Sequence, residues 1–182
     1  MTVLVAYASR HGSTAGIAER IAEVLDSSGL PAEALPVEEV GDPGDYDAVV
    51  VGGAAYMYHW LKDAESFVRR HKRVLAERPL WLFSSGPLGD EKVDAEGHDV
   101  LESAEPKEFD ELTPVLKPNG TRVFFGAWDP TAPPVGLGER LMKLMPAEKS
   151  PLPAGDFRDW DDIDAWARGI AAELQTEDRG SA

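Results

Sequence analysis

The sequence contains no cysteine, and this absence excludes several kinds of redox and metal chemistry. Without thiols the chain can form no disulfide, offers no thiolate nucleophile, and cannot hold zinc or an iron–sulfur cluster through cysteine. Any electron transfer by this protein therefore requires another kind of redox group.

Basic residues are scarce as well: 18 lysines and arginines stand against 33 aspartates and glutamates, which gives a formal net charge of −15. A surface of this sign repels phosphate backbones and anionic lipid, so the composition argues against nucleic acid as a partner. The same charge suits docking to a basic face of a redox partner, but it equally suits a well-solvated or salt-adapted surface. Both interpretations stay open.

Long hydrophobic runs are missing, since the longest apolar stretches have the length of a single strand. With 182 residues, 43% of them hydrophobic and 28% charged, the chain has the composition of one ordinary globular domain. We predict a folded domain over residues 1–175 and a flexible tail over residues 176–182. No basic leader or apolar signal segment is visible before the first predicted strand, so we expect a cytoplasmic protein.

Five short apolar runs alternate with segments of helical periodicity. The runs typical of buried strands cover residues 3–8, 32–37, 47–52, 80–84 and 122–126. Apolar residues at helical spacing cover residues 17–25, 61–75, 108–116 and 163–174, and Asp159 is the predicted N-cap of the last helix. Parallel strands buried on both faces need helical crossovers, so the pattern predicts a doubly wound α/β fold.

Ligands of such folds bind beyond the carboxyl ends of the strands, where three loops of this sequence lie. The first loop, residues 9–14, combines hydroxyl groups, a glycine and the start of a helix, which together favour an anion such as a phosphomonoester. It contains neither G-x-G-x-x-G nor G-K-[ST], so it is neither a dinucleotide fingerprint nor a Walker loop. A capped turn without any ligand is the alternative.

The second and third loops have features that suit a planar ring. Residues 53–60 include Tyr56, Tyr58 and Trp60, whose flat side chains would either stack on a heterocycle or cover the end of the sheet. Residues 85–89 are flexible at their glycines and offer backbone hydrogen bonds to a ring edge. Each loop alone is weak evidence for a ligand.

Histidines and carboxylates add little to this site. His59 lies near the presumed ring and is the one candidate for proton transfer, whereas His71 and His98 are expected to be structural or solvated. The aspartates at positions 161, 162 and 164 are best explained as capping or solvated charges of the last helix. We therefore predict no metal site.

The motif Ser9-x-x-Gly12-x-Thr14 after the first strand resembles the phosphate loop of the flavodoxin family, and the resemblance spans nearly the whole chain. It implies a flavodoxin-like five-stranded parallel sheet, in the order 2-1-3-4-5 with helices on both faces, and FMN as a non-covalent cofactor. Later motifs are similar to those of menaquinone-dependent protoporphyrinogen dehydrogenases within that family. These motifs are Ala54-x-Tyr56, the segment 140–145, and the ending Asp159-Trp160-x-x-Ile163-x-x-Trp166-Ala167-x-x-Ile170.

The resemblance also implies roles for the three loops. The first loop would bind the FMN phosphate, partly through the amides of Arg10 and His11. The backbone of residues 54–56 would face flavin N5, Tyr56, Met57 or Trp60 would stack on the ring, and residues 85–89 would border its pyrimidine side. The implied cofactor-binding residues are Ser9, Arg10, His11, Gly12, Ser13, Thr14, Ala54, Ala55, Tyr56, Met57, Trp60, Ser85, Gly86, Pro87, Leu88 and Gly89.

Three functions are compatible with these observations. The later motifs favour an FMN-dependent oxidoreductase that links a small substrate, such as a porphyrinogen, to a quinone. The second function is a flavodoxin-type electron carrier without its own substrate. The acidic segment 87–113, which we expect to be mostly surface, would then bind a redox partner. A flavodoxin-like binding module without FMN is the third. The amphipathic segment 137–145 would either touch a membrane peripherally or pack on the core.

Overall fold

The computed structural model describes residues 1–131 and 153–180, and its centre is a parallel β-sheet. The sheet strands lie in the order β2-β1-β3-β5-β6, and β4 pairs antiparallel with β3. Without the short β4, the long strands have the predicted order 2-1-3-4-5. In chain order the strands are β1 (Val3–Ala8), β2 (Ala32–Pro36), β3 (Ala48–Tyr56), β4 (His59–Trp60), β5 (Leu80–Ser85) and β6 (Gly120–Phe124).

Helices cover both faces of this sheet, as the sequence predicts. Helices α1 and α5 pack on one face, and α2 and α4 pack on the other. The N-cap prediction for α5 is confirmed, because the Asp162 amide donates to the Asp159 carboxylate at 3.2 Å. The helices are α1 (Ser13–Ser27), α2 (Lys62–Leu75), α3 (Val100–Ser103), α4 (Lys107–Leu116) and α5 (Trp160–Gly180), and a 3₁₀ turn covers Pro43–Asp45.

Strand β1 shows why its sequence is a continuous apolar run. Val3 and Val5 belong to the core under α1 and α5, whereas Leu4 and Ala6 belong to the core under α2 and α4. All four side chains are fully buried. A strand covered on both faces needs apolar residues at every position instead of alternate ones.

The prediction of an irregular loop over residues 53–60 is wrong. Strand β3 continues to Tyr56, and β4 pairs back on it with Ala55 opposite Trp60. The chain reverses at Met57 and Tyr58, whose φ angles of 51° and 64° are the left-handed values that a two-residue hairpin turn of type I′ requires. We call residues 54–60 the edge hairpin.

The acidic segment and the last helix contain more regular structure than the sequence predicts. The acidic segment contains the short α3 as well as α4, and Glu108 within it is buried. Helix α5 ends at Gly180 and so includes most of residues 176–182, whose flexibility stays a prediction. The segment 137–145 lies outside the described residues. Within residues 1–131 and 153–180, no helix has the length and apolar character needed to cross a bilayer.

Candidate functional site

The three loops singled out in the sequence meet at the carboxyl edge of the sheet. Strand register places Ala8 opposite Gly53 and Ala54 opposite Ser85, so the loops leave the sheet at neighbouring points. A buried hydrogen bond of 2.8 Å joins the hydroxyls of Thr14 and Ser85 and ties the first loop to the third. The structure thus brings the three loops together at one edge of the sheet.

The first loop leads into α1 through a glycine with left-handed backbone. Gly12 has a φ of 81° and forms the N-cap of α1, and no side chain caps the helix there. The Gly12 amide donates to Ser9 Oγ at 3.1 Å, and the Ala127 amide donates to Ser13 Oγ at 2.9 Å. Because both serine hydroxyls accept these bonds, each keeps its own O–H to donate.

This start of α1 has the properties of an anion site. The first amides of a helix have no partner inside the helix, and the helix dipole places partial positive charge beside them. A Cβ added at Gly12 would meet no atom within 4 Å, so the space above the loop is open. Two serine hydroxyls and uncapped amides around an open space suit a phosphate group.

Thr14 has a different position from the other residues of this loop. Its side chain is fully buried, and its hydroxyl is engaged with Ser85. The structure therefore uses the Thr14 hydroxyl to hold two loops together. A contact from this hydroxyl to a bound anion stays a prediction.

The tip of the edge hairpin is the most exposed apolar part of the site. The exposed fractions are 41% for Tyr56, 90% for Met57 and 57% for Tyr58. The Arg10 guanidinium lies 5.3 Å from the centroid of the Tyr56 ring, a cation–π contact that joins the first loop to the hairpin. Exposed side chains of this kind offer a surface on which a planar ring can stack.

Trp60 does not offer such a surface, contrary to expectation. Its side chain is only 3% exposed, its indole N–H donates to the Gly53 carbonyl at 3.1 Å, and its ring packs edge-on against Phe109. Burial in the core under α2 and α4 removes it as a stacking candidate, so Tyr56 and Met57 remain.

His59 faces α4. Its Nδ1 lies 3.0 Å from Glu108 Oε1, and the second oxygen of that carboxylate accepts the Trp60 amide at 2.9 Å. Burial raises the pKa of Glu108, but these hydrogen bonds outweigh it and hold the pKa below its ordinary value. Glu108 therefore stays ionised and fixes β4 to α4, which is a structural task; a catalytic role of His59 stays a prediction.

The third loop approaches the hairpin closely. A Cβ on Gly86 would lie 3.1 Å from the Ala55 carbonyl oxygen, so a larger residue would push the two loops apart. A depression of about 350 Å³ lies between them and continues to α3. Its lining includes Ala55, Met57, Tyr58, Gly86, Pro87, Asp94, Val100, Ser103 and Ala104.

A fourth segment reaches the site and was missed by the sequence reasoning. Strand β7 (Ala127–Trp128) pairs with β8 (Gly155–Asp156), and the Trp128 ring lies 5.0 Å from that of His11. The Gly126 amide donates to the Pro87 carbonyl at 2.9 Å and so links this segment to the third loop. Since β7 follows the carboxyl end of β6, the rule that selected the other loops selects this one too.

The described residues include no group of three or more histidines or carboxylates arranged to hold a metal ion. The contacts at this edge are hydroxyls, amides and aromatic faces, a set that suits a phosphorylated planar organic molecule better than a cation.

Comparison with known proteins agrees with the fold. A family model for the flavodoxin domain matches residues 4–142. The protoporphyrinogen IX dehydrogenase (quinone) of Escherichia coli strain K12 is 29% identical over 86 residues, which cover 46% of this chain and 48% of that protein. The aligned region thus spans about half the length of this curated relative.

Solved structures show the same architecture. A flavodoxin from the domain Archaea aligns over 96% of this chain and 99% of its own, with a TM-score of 0.57 and 16% identity. Oxidised flavodoxin 1 from Bacillus cereus aligns over 94% and 98%, with a TM-score of 0.58 and 13% identity. At such identities the likeness establishes the fold alone.

Proposed function

The chain belongs to the flavodoxin family, and from that premise we propose that it is an oxidoreductase that uses FMN to exchange reducing equivalents with a quinone. It is a flavodoxin-family FMN-binding domain. One observation carries the proposal: an uncapped helix start, an exposed aromatic hairpin and a glycine loop lie together at one edge of the sheet. These are the parts that a phosphate and a planar ring on one molecule require.

In this proposal the first loop holds the FMN phosphate. The amides of Arg10, His11, Ser13 and Thr14 and the hydroxyls of Ser9 and Ser13 donate to its oxygens. The Gly12 amide stays bonded to Ser9 Oγ, and the absence of a side chain at Gly12 lets the backbone approach closely. Thr14 contributes its amide, because its hydroxyl bonds to Ser85. Arg10 adds positive charge while it rests on Tyr56.

The flavin ring lies between the edge hairpin and the third loop. The backbone of Ala54 to Tyr56 faces flavin N5, and the side chains of Tyr56 and Met57 supply the stacking surface. The third loop borders the pyrimidine side of the ring through Ser85, Gly86, Pro87, Leu88 and Gly89. When bound, FMN supplies the hydride or electron transfer. The chain orients the ring, and the negative field of its surface disfavours an anionic reduced flavin.

Two features support the quinone link. The E. coli relative is named as a quinone-dependent dehydrogenase, although the match covers 48% of it. The depression beside the ring position also extends past the flavin-facing loops to Ser103 and Ala104, where a small planar acceptor would fit. A porphyrinogen or another small organic donor would be the source of the reducing equivalents.

A flavodoxin-type electron carrier is the second candidate. The exposed acidic residues Asp90, Glu91, Glu96 and Glu102 lie on the segment that follows the third loop. They would attract a basic protein partner close to the ring, and electron exchange by that route would require no substrate pocket. A cytoplasmic location and peripheral membrane contact through residues 137–145 remain predictions in both cases.

Reoxidation kinetics separate the two candidates. FMN-loaded protein is reduced without oxygen and mixed with a water-soluble quinone while the visible flavin absorption is followed. The enzyme proposal expects a rate that saturates with quinone concentration and falls at least about fivefold in Ser103→Trp, whose indole would fill the depression. Ser27→Trp, on an exposed turn of α1, is the matched control and should leave the rate unchanged.

A rate that rises linearly with quinone and is the same in both variants would favour the carrier. Each variant is first titrated with FMN, so that a change in cofactor affinity is not mistaken for a change in quinone access. If the wild-type protein does not bind FMN, the third function, a flavodoxin-like binding module without FMN, becomes the better explanation.

A further inference from the structure

The ribbon formed by β7 and β8 is fixed to the start of α1. The Ala127 amide bonds to Ser13 Oγ at 2.9 Å, and the Phe157 amide donates to the Gly126 carbonyl at 3.0 Å. A Cβ on Gly126 would lie 3.5 Å from Ser13 Oγ, so the segment runs directly beside the first loop. These backbone hydrogen bonds therefore fix Trp128 beside the first loop.

The indole N–H of Trp128 is buried beside the first loop without a hydrogen-bond acceptor among the described residues. The Trp128 ring meets that of His11 edge to face, with an interplanar angle of 87°. Its indole nitrogen is shielded from solvent and has no hydrogen-bond acceptor among the described residues. A buried donor without an acceptor loses its hydration and gains nothing in return, so such groups call for an explanation.

The position of Trp128 distinguishes it from the other buried polar side-chain atoms that lack a partner in the described part of the chain. Those atoms are Ser84 Oγ and Arg122 Nε, and both residues lie within the strands β5 and β6. Trp128 lies beyond the carboxyl ends of the strands, in contact with a residue of the phosphate loop. An N–H at that point is where a ligand oxygen would restore the missing bond.

We infer that the indole N–H of Trp128 donates a hydrogen bond to the FMN phosphate, so that β7 forms a further wall of the phosphate pocket. The inference rests on the proposed function and adds a side-chain donor from a fourth segment. A phosphate is the expected acceptor because His11 and Ser13, which contact Trp128 and Ala127 of β7, both belong to the first loop. Hydrogen bonds to an ionised acceptor in a dehydrated site are among the stronger ones in proteins.

Binding of FMN and of riboflavin to Trp128→Phe tests this assignment. Phenylalanine keeps an aromatic ring against His11 and removes the N–H. We expect FMN to bind about tenfold or more weakly, whereas riboflavin, which has no phosphate, binds as it does to the wild type. Trp160→Phe is the matched control, since Trp160 is the first residue of α5 and its ring stacks on Arg158, and the variant should change neither affinity.

The indole ¹⁵N–¹H resonance of Trp128 in the wild-type protein provides a second readout that does not depend on the variant. Assigned by triple-resonance experiments, it should shift downfield when FMN is added and also when inorganic phosphate is added. This measurement decides the question even if Trp128→Phe fails to fold, which circular dichroism reports.

Three results would overturn the inference: unchanged FMN affinity in a folded Trp128→Phe, equal losses of FMN and riboflavin, or an indole resonance that phosphate and FMN leave in place. If the wild type binds FMN normally, any of these results refutes the role of Trp128 and leaves the proposed function standing. A wild-type protein that binds no FMN refutes the proposed function and this inference together.

Discussion

At the scale of single residues, Asp164 ties the first helix to the last. Its carboxylate accepts bonds of 2.6 and 2.8 Å from Arg20 on α1 and one of 3.0 Å from Arg168 on its own helix. The hydrogen bonds from Arg20 are the main cause that lowers the pKa of Asp164. Removal of this charge therefore affects the packing of α1 on α5.

Asp164→Asn should lower the melting temperature at pH 7 by roughly 3–8 °C. Because the folded pKa is depressed, the contribution is complete above the unfolded value of about 3.9 and is lost as the pH falls through the folded pKa. The difference between variant and wild type should therefore shrink under acid conditions. Asp26→Asn, at an exposed carboxylate of α1, is the control, and an equal loss there would contradict the account.

Gly12 provides the sharpest test of the anion site at this scale. Asparagine and aspartate both tolerate left-handed backbone, so Gly12→Asn and Gly12→Asp carry similar conformational costs. The carboxylate of the aspartate adds a negative charge where the phosphate would bind. We expect FMN to bind Gly12→Asp at least about tenfold more weakly than Gly12→Asn in fluorescence titrations, at equal melting temperatures. Equal affinities would show that no anion binds there.

At the scale of elements, the turn of the edge hairpin combines strain with exposure. Met57 and Tyr58 both have left-handed backbone, which asparagine and glycine adopt far more readily. The double variant Met57→Asn, Tyr58→Gly should stabilise the domain by about 1 kcal/mol. Its FMN affinity should nevertheless fall, because the exposed Met57 side chain is lost as a stacking surface.

Lys117→Gly is the matched control for this hairpin variant. Lys117, the C-cap of α4, has a φ of 49°, and the proposed FMN contacts do not include it. Glycine there should raise the melting temperature to a similar extent with no change in FMN affinity. An FMN affinity that stays at the wild-type value in the hairpin variant would rule out stacking by its tip.

The elements also show what the sequence could predict. Runs such as residues 48–51 are apolar because both faces of the strand are buried, so the five long strands and the helices α1, α2, α4 and α5 could be located from the pattern alone. The hairpin turn carries Met-Tyr in place of the Asn-Gly signal, so the pattern gave no sign of β4. The burial of Trp60 could not be predicted either, since an aromatic residue near a site either packs into the core, as Trp60 does against Phe109, or faces the ligand.

At the scale of the whole molecule, the net charge of −15 affects how an anionic cofactor approaches. The field of the chain repels the phosphate of FMN at long range, and salt screens this repulsion. The association rate constant of FMN should therefore rise severalfold when the ionic strength increases from about 10 mM to 150 mM, as stopped-flow fluorescence would show. Riboflavin should associate at a rate that salt leaves unchanged, and a matching salt effect on riboflavin would contradict an electrostatic origin.

Titration of the purified chain, freed of any bound flavin, with FMN tests the central claim most directly. Flavin fluorescence and the visible absorption spectrum are followed together as FMN is added. The account predicts saturable binding of one FMN per chain, with quenched fluorescence and a perturbed flavin band from contact with the edge hairpin. A spectrum that stays that of free FMN, even with cofactor in excess, would contradict it.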